Sequence, residues 1–195
     1  MSFAADVQKL KPNFGFAAGC FYFRPAGHIL CGFAFESLSS HARILRYAMP
    51  LYDRPTDFIS LTFSEYLPSA EGRFHENLFG GRKKVDYFLR CIEPFEEATL
   101  RWGTFDYIVG RCQALLGGND LLIRCKYALT LLSAGQYGEA KQQIDILVAH
   151  EHASVVPGFI EDMSRLKLEL AKGPHVAQLI LDAWEASNRK VLGIV

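Results

Sequence analysis

The stretch HILCGFAFESLSSHARILRYAMPLYDRPTDFISLTFSEYL, residues 28–67, decides the fold. Ile29, Cys31, Phe33 and Phe35 alternate with Leu30, Gly32, Ala34 and Glu36, the period of two that places successive side chains on opposite faces of a strand. After a polar loop from Ser37 to His41, Arg43, Leu45, Tyr47, Met49 and Leu51 alternate with Ile44, Arg46 and Ala48. Pro50 has no amide hydrogen for a ladder, so this strand has an edge or a bulge near its end. Asp53-Arg54-Pro55-Thr56 is a turn, and FISLTFSEYL, residues 58–67, reads as a further strand. Even alternation and short turns predict an antiparallel meander with one face covered and the other partly wet.

Upstream, SFAADVQKLK, residues 2–11, reads as a short helix capped by Ser2 and ended by Pro12. GCFYFR, residues 19–24, is the first strand, turned by Pro25-Ala26-Gly27. A three-residue loop there pairs Cys20 with Gly32 and sends the Cys20 and Cys31 sulfurs to opposite faces. Downstream of Pro68 the period becomes helical. Residues 71–79 read as a turn or short helix before Gly80-Gly81. Lys84 to Leu100 carries Val85, Phe88, Leu89, Ile92 and Phe95 at helical spacing, with Pro94 kinking or dividing it. Phe105 to Leu116 is the next helix, and Asn119 or Asp120 caps the one after, whose stripe is Leu121, Ile123, Ala128, Leu131 and Leu132.

The chain has 195 residues, half of them apolar, enough for a substantial core and far from the composition of a disordered chain. Lys plus Arg equals Asp plus Glu at 21 each, so the basic excess of a dedicated nucleic-acid or anionic-membrane binder is missing. Five dispersed cysteines without a CxxC pair read as buried, reduced thiols of a cytoplasmic protein, not as a zinc or redox site. Ala17-Ala18-Gly19-Cys20 faintly resembles a lipoprotein cleavage site, but the apolar run Phe14 to Gly19 is shorter than the ~7–15 residues of a signal core. Export and a membrane span are rejected.

Within the helical half, Ala128, Leu131, Gly135, Tyr137, Ala140, Ile144 and Leu147 form a pattern. Residues 128–147 resemble the middle of a tetratricopeptide repeat. Arg124 stands where the family has an aromatic, and the closing proline is missing. A weaker copy, residues 165–184, sets Gly173, Ala177, Leu181 and Trp184 at distances of 38, 37, 37 and 37 from Gly135, Ala140, Ile144 and Leu147. The resemblance implies stacked helical hairpins and a scaffolding or peptide-binding role; arrays of this kind usually need about three or more units.

Motifs that carry chemistry are sparse. His150-Glu151-His152 sets its histidines two apart, pointing away from each other on a helix, and reads as a solvated helix end. Gly80-Gly81-Arg82-Lys83-Lys84 is the candidate anion site, with Arg82, Lys83 and Lys84 gathered at a helix start, though without a phosphate-loop motif. Glu36 and Glu65 lie on neighbouring parts of the sheet and are the candidate acid/base pair, although exposed strand ends explain both. No nucleophile elbow and no cofactor motif occurs. Ten aromatics between Phe21 and Tyr66 exceed what one small face needs. Interleaved with arginines, they suggest a protein-binding surface built on Tyr22, Arg24, Arg43, Arg46 and Tyr47, since Tyr and Arg are preferred anchors. An RNA platform on the same sheet is the weaker alternative.

The expectation is an α+β protein. About four strands in residues 1–70 form an antiparallel meander, an all-helical half in residues 71–195 packs against it, and the two make one compact unit. It needs no cofactor and partners another protein, in the manner of a bacterial immunity or adaptor protein. The rival expectation is an enzyme of an unassigned family acting on a small phosphorylated or carboxylated substrate.

Overall fold

A computed structural model describes residues 2–37, 42–68, 73–74, 82–116, 120–150 and 158–194. The fold is α+β, with an antiparallel sheet from the N-terminal part and helices following it. The chain forms two compact units: Met1–Met49, Thr56–Thr104 and Arg189–Val195 make one, Pro50–Pro55 and Phe105–Asn188 the other. This division does not coincide with the change of period at Pro68. The helices of residues 82–103 belong with the sheet, and Pro50–Pro55 belongs with the helices.

The sheet unit opens with α1 (Phe3–Leu10), capped by Ser2, whose Oγ accepts from the Ala5 amide at 3.3 Å. Strands β1 (Phe14–Ala17), β2 (Cys20–Phe23), β3 (Ile29–Ser37), β4 (Ala42–Pro50) and β5 (Phe63–Tyr66) follow one another across the sheet, and the two-residue β6 (Arg73–Phe74) also pairs with β4. β1 is a strand the alternation argument missed. It joins β2 through Ala18 and Gly19, at φ 44° and 82°, with Ala17 facing Cys20. Two consecutive positive φ values are what a two-residue hairpin matched to strand twist requires.

Three expectations about the sheet are corrected. Cys20 faces Ala34, not Gly32, because the β2–β3 loop spans residues 24–28 and not three residues. Cys20 and Cys31 still lie on opposite faces, and all five cysteines are free. The strand foreseen at residues 58–67 is confined to Phe63–Tyr66. Ahead of it, side chains replace the ladder: Thr56 Oγ1 accepts from the Phe58 amide at 3.4 Å and Met49 Sδ from the Ser60 amide at 3.3 Å. Finally, neither face of the central strands is wet, since every residue of β2 and Ile29 to Ala34 of β3 are buried.

One of these faces is covered by α1 and by α2 (Arg82–Ile92). The Phe3 ring of α1 lies 5.9 Å from Phe21 and 5.5 Å from Phe88 of α2, which is 5.0 Å from Phe21. Such edge-on and tilted pairs add to the burial of each ring. Pro94 divides the next helical stretch as expected, into a single turn at Glu93–Phe95 and the short α3 (Glu96–Leu100). Residues 71, 72 and 75–79, foreseen as a turn or short helix, lie outside the described residues, as do Gly80 and Gly81.

The helical unit comprises α4 (Phe105–Leu115), α5 (Leu121–Ser133), α6 (Tyr137–Ala149), α7 (Phe159–Lys172) and α8 (Pro174–Leu192), whose last residues join the sheet unit. Successive helices from α4 to α7 pack side by side. α5 is the centre. Asp120 caps it, accepting from the Leu122 and Ile123 amides at 3.0 and 3.1 Å, and Cys125 to Leu132 are all buried. A helix buried on every side is hydrophobic all round, and here one cation, Lys126, stands inside that run.

Candidate functional site

In the sheet unit the foreseen partner-binding residues separate. Tyr22 and Tyr47 are interior, at 1% and 0% exposure, and Tyr47 donates its hydroxyl to the Phe21 carbonyl at 3.1 Å. They are core residues, because a sheet covered on both sides has no free face to present them. Arg46 is also engaged. Its Nη2 binds Glu65 Oε2 at 2.8 Å, and its guanidinium lies 4.4 Å from the centre of the Trp102 ring, a stacked ion pair of the kind arginine favours. Arg43 lies 5.1 Å from the ring centre of the half-exposed Tyr66, whose hydroxyl donates to Glu36 Oε2 at 2.8 Å. Arg24 is exposed, with its guanidinium 5.9 Å from the centre of the Tyr22 ring. Glu36 and Glu65 are thus held by different partners, Tyr66 and Arg46.

The anion candidates separate too. Lys84 sets its ammonium 5.1 and 4.8 Å from the Phe3 and Phe35 rings, where cation–π attraction holds it at the edge of the core. Lys83 is exposed and lines an open depression of about 450 Å³ with Asp86, Tyr87 and Arg90. Arg82 begins α2, and its side chain lies outside the described residues. His150 ends α6, while Glu151 and His152 lie outside the described residues. Among the described residues no group of three or more His, Cys, Asp or Glu is placed to hold a metal ion, and no helix is long and apolar enough to cross a membrane.

In the helical unit, Pro50–Pro55 is pinned by a polar cluster. Lys126 Nζ donates to Asp53 Oδ2, with the side chains only 6% and 14% exposed. Tyr52 donates to Thr130 Oγ1 at 3.0 Å, and Thr130 in turn donates to the Lys126 carbonyl at 2.6 Å. Asn188 Nδ2 reaches the carbonyls of Leu51 and Asp53 at 2.7 and 2.9 Å, and Arg54 Nε pairs with Asp162 Oδ2 at 3.3 Å. Every strong donor in this cluster has a protein acceptor, so its chemistry is already spent on holding the segment. A sequence signal for it existed. A lone lysine in an apolar helix needs a carboxylate from elsewhere.

Four of the five thiols are held protonated by burial. Burial pushes Cys20 up to about 11 and Cys31 and Cys112 up to about 12, and raises Cys125 as well. A protonated thiol does not attack. Tyr47, Tyr52, Tyr87 and Tyr127 are raised by burial in the same way.

A different kind of site lies on α7 and α8. A groove of about 430 Å³ is lined by Arg165 and Glu169 of α7 and by Val176, Leu179, Ile180, Ala183 and Trp184 of α8. The α8 residues recur at i, i+3, i+4, i+7 and i+8, a complete apolar stripe. It is not the stripe that buries the helix, because Ala177 and Leu181, both fully buried, face inward. Leu179 stays 63% exposed. Trp184 was noted in the sequence as part of a repeat pattern; its neighbours in the groove were not, because a helix with two apolar stripes resembles a single broad one in one dimension.

Comparison with known proteins lends neither a family nor a fold: no protein-family model matches the chain, and no curated protein or solved structure matches it significantly.

Proposed function

We propose that this protein works by binding another protein, and that the α7/α8 groove is the docking face. The observation that supports the reading is the second apolar stripe of α8, which the chain's own described residues leave half-exposed. Apolar surface rimmed by polar residues marks interaction sites, and an apolar groove of this shape suits an amphipathic helix. The tetratricopeptide-like pattern points the same way, since Ala128, Leu131, Ala140, Ile144 and Leu147 are buried in the α5/α6 hairpin and Gly135 turns it at φ 76°. The finer version is an immunity- or adaptor-type protein of a bacterial cytoplasm, with no cofactor.

The test is affinity capture from native lysate with the wild type and with Leu179→Glu, whose site is exposed enough to leave folding intact. One stoichiometric protein held by the wild type and lost by the variant supports the reading. An equal yield from both, or none from either, counts against the groove.

The depression beside Lys83 favours a second reading, an enzyme or binding protein for a small anion, because Lys83 and Arg90 bring two cations to one opening. Titration calorimetry with inorganic phosphate and with citrate tests it. Heat that disappears in Lys83→Ala and Arg90→Ala supports it, and no heat with either anion dismisses it.

A further inference from the structure

We infer that the occupant of the α7/α8 groove is an amphipathic helix of another protein that sets an acidic side chain against Arg165; the inference rests on the groove being a docking face.

Two charged residues line the groove, and they are not equivalent. Glu169 is bridged by Lys172 at 2.8 Å, so its charge is already met within α7. Arg165 is exposed and makes no ion pair among the described residues. Asp182 of α8 does not line the groove, and its carboxylate accepts from the Gln178 amide at 2.9 Å. Glu161, one turn before Arg165 on α7, is not part of the lining either. Arg165 and Lys172 thus bring two cations to the single carboxylate of Glu169, and one positive charge is left over on this rim.

That leftover charge decides the chemistry of the partner. A helix laid on the α8 stripe covers part of Arg165. A guanidinium carries only donors, and taking it out of water without an acceptor is costly. A carboxylate is the best acceptor, because it takes two parallel hydrogen bonds from the planar fork. A basic side chain at the same place meets Arg165 and Lys172 with like charge and finds Glu169 occupied, so it lowers affinity. The apolar half of the match comes from Val176, Leu179, Ile180, Ala183 and Trp184. From first to last these extend about 12 Å, a little over two turns. A helix covering that length presents apolar residues at i, i+3 or i+4, and i+7. Trp and Arg are the residue types in which binding energy concentrates, and Trp184 and Arg165 share this groove. A contact of this length is smaller than the ~1,600 Å² of a standard interface, so the dissociation constant is on the order of micromolar.

The experiment is selection from a displayed library of peptides of about 18 residues, long enough to form a helix, with one face randomised. The bait is the full chain, and Leu179→Glu is the counter-bait. The wild type is expected to enrich peptides with the apolar spacing above and with Asp or Glu at one flanking position. The enriched peptide is then synthesised with Glu or with Lys at that position and titrated by fluorescence anisotropy. The Glu peptide should bind the wild type about tenfold more tightly than the Lys peptide. Arg165→Ala should remove this preference, and Arg165→Glu should reverse it. Leu179→Glu should weaken both peptides about 100-fold or more. Unchanged thermal midpoints show that the variants fold.

Enriched peptides without an acidic position, or an acidic preference that survives Arg165→Glu, overturn the inference and leave the docking face standing. A library with no peptide retained by the wild type over Leu179→Glu also overturns it. Capture from lysate then separates the two readings: a Leu179-dependent protein keeps the docking face, and its absence removes both.

Discussion

The hairpins α5/α6 and α7/α8 share a spacing of small and large residues, and each turns on a glycine with positive φ, Gly135 at 76° and Gly173 at 150°. They use it differently. In α5/α6 the pattern residues Ala128, Leu131, Ala140, Ile144 and Leu147 are interior, and α5 is sealed from Cys125 to Leu132, so the cation in that run needed a carboxylate brought to it from Pro50–Pro55. In α8 the corresponding Ala177 and Leu181 are interior, but a second stripe faces the groove with Leu179 exposed. The same local code therefore builds a closed core where a helix has neighbours all round and an open face where it does not.

That contrast is broken most severely at the buried ion pair. Asp53→Ala leaves the Lys126 ammonium uncompensated in the core, and urea unfolding is expected to show a loss of about 3–5 kcal/mol. Asp53→Leu/Lys126→Met should recover most of it, because an apolar pair needs no desolvated charges. A single variant within about 0.5 kcal/mol of wild type would show that the pair carries little of the helical unit's stability.

Truncation compares the two hairpins directly. Leu131→Ala, in the closed one, is expected to cost about 2–5 kcal/mol by cavity formation. The same unfolding series carried out on Leu179→Ala should shift stability by no more than about 0.5 kcal/mol. Similar losses at both sites would mean that the α8 stripe is covered in solution.

Alkaline pH acts on the thiols. Cys112 has its pKa raised by burial from 9.0 to about 12. The unfolded thiol ionises first, so its contribution is intact below about pH 9 and is lost as pH rises towards 12. On the order of 1 kcal/mol should be gone by pH 10, about one unit above the unfolded value. Cys112→Ala should flatten this part of the stability profile, measured by urea unfolding at pH 8, 9 and 10. An unaltered slope would assign the alkaline loss to other groups.

Much of the sheet unit could be read in one dimension. Ser2 caps α1 through its own hydroxyl, and Pro94 divides the helix it interrupts; both effects act within a few residues. β1 was overlooked because four residues, FGFA, are too short to establish a period, and the Ala18-Gly19 turn lacks the Asn-Gly or Asp-Gly that usually announces a hairpin. The β2–β3 register was wrong by two residues because loop length, not alternation, sets it. For the candidate site, alternation placed Tyr47 on one face of its strand but carried no information about what covers that face, and Tyr22 and Tyr47 are both buried.

Periodicity, caps, glycines and prolines act over one or two turns of chain, and so the sequence by itself determined the α+β class, the helix at residues 3–10, the break at Pro94 and the turn at Gly135. Opposition of side chains distant in sequence was decided only by the tertiary structure: Lys126 with Asp53, Asn188 with Leu51, and Val176 to Trp184 with Arg165 and Glu169. The physical reason is that burial and desolvation depend on which surfaces meet, and no local pattern records its partner.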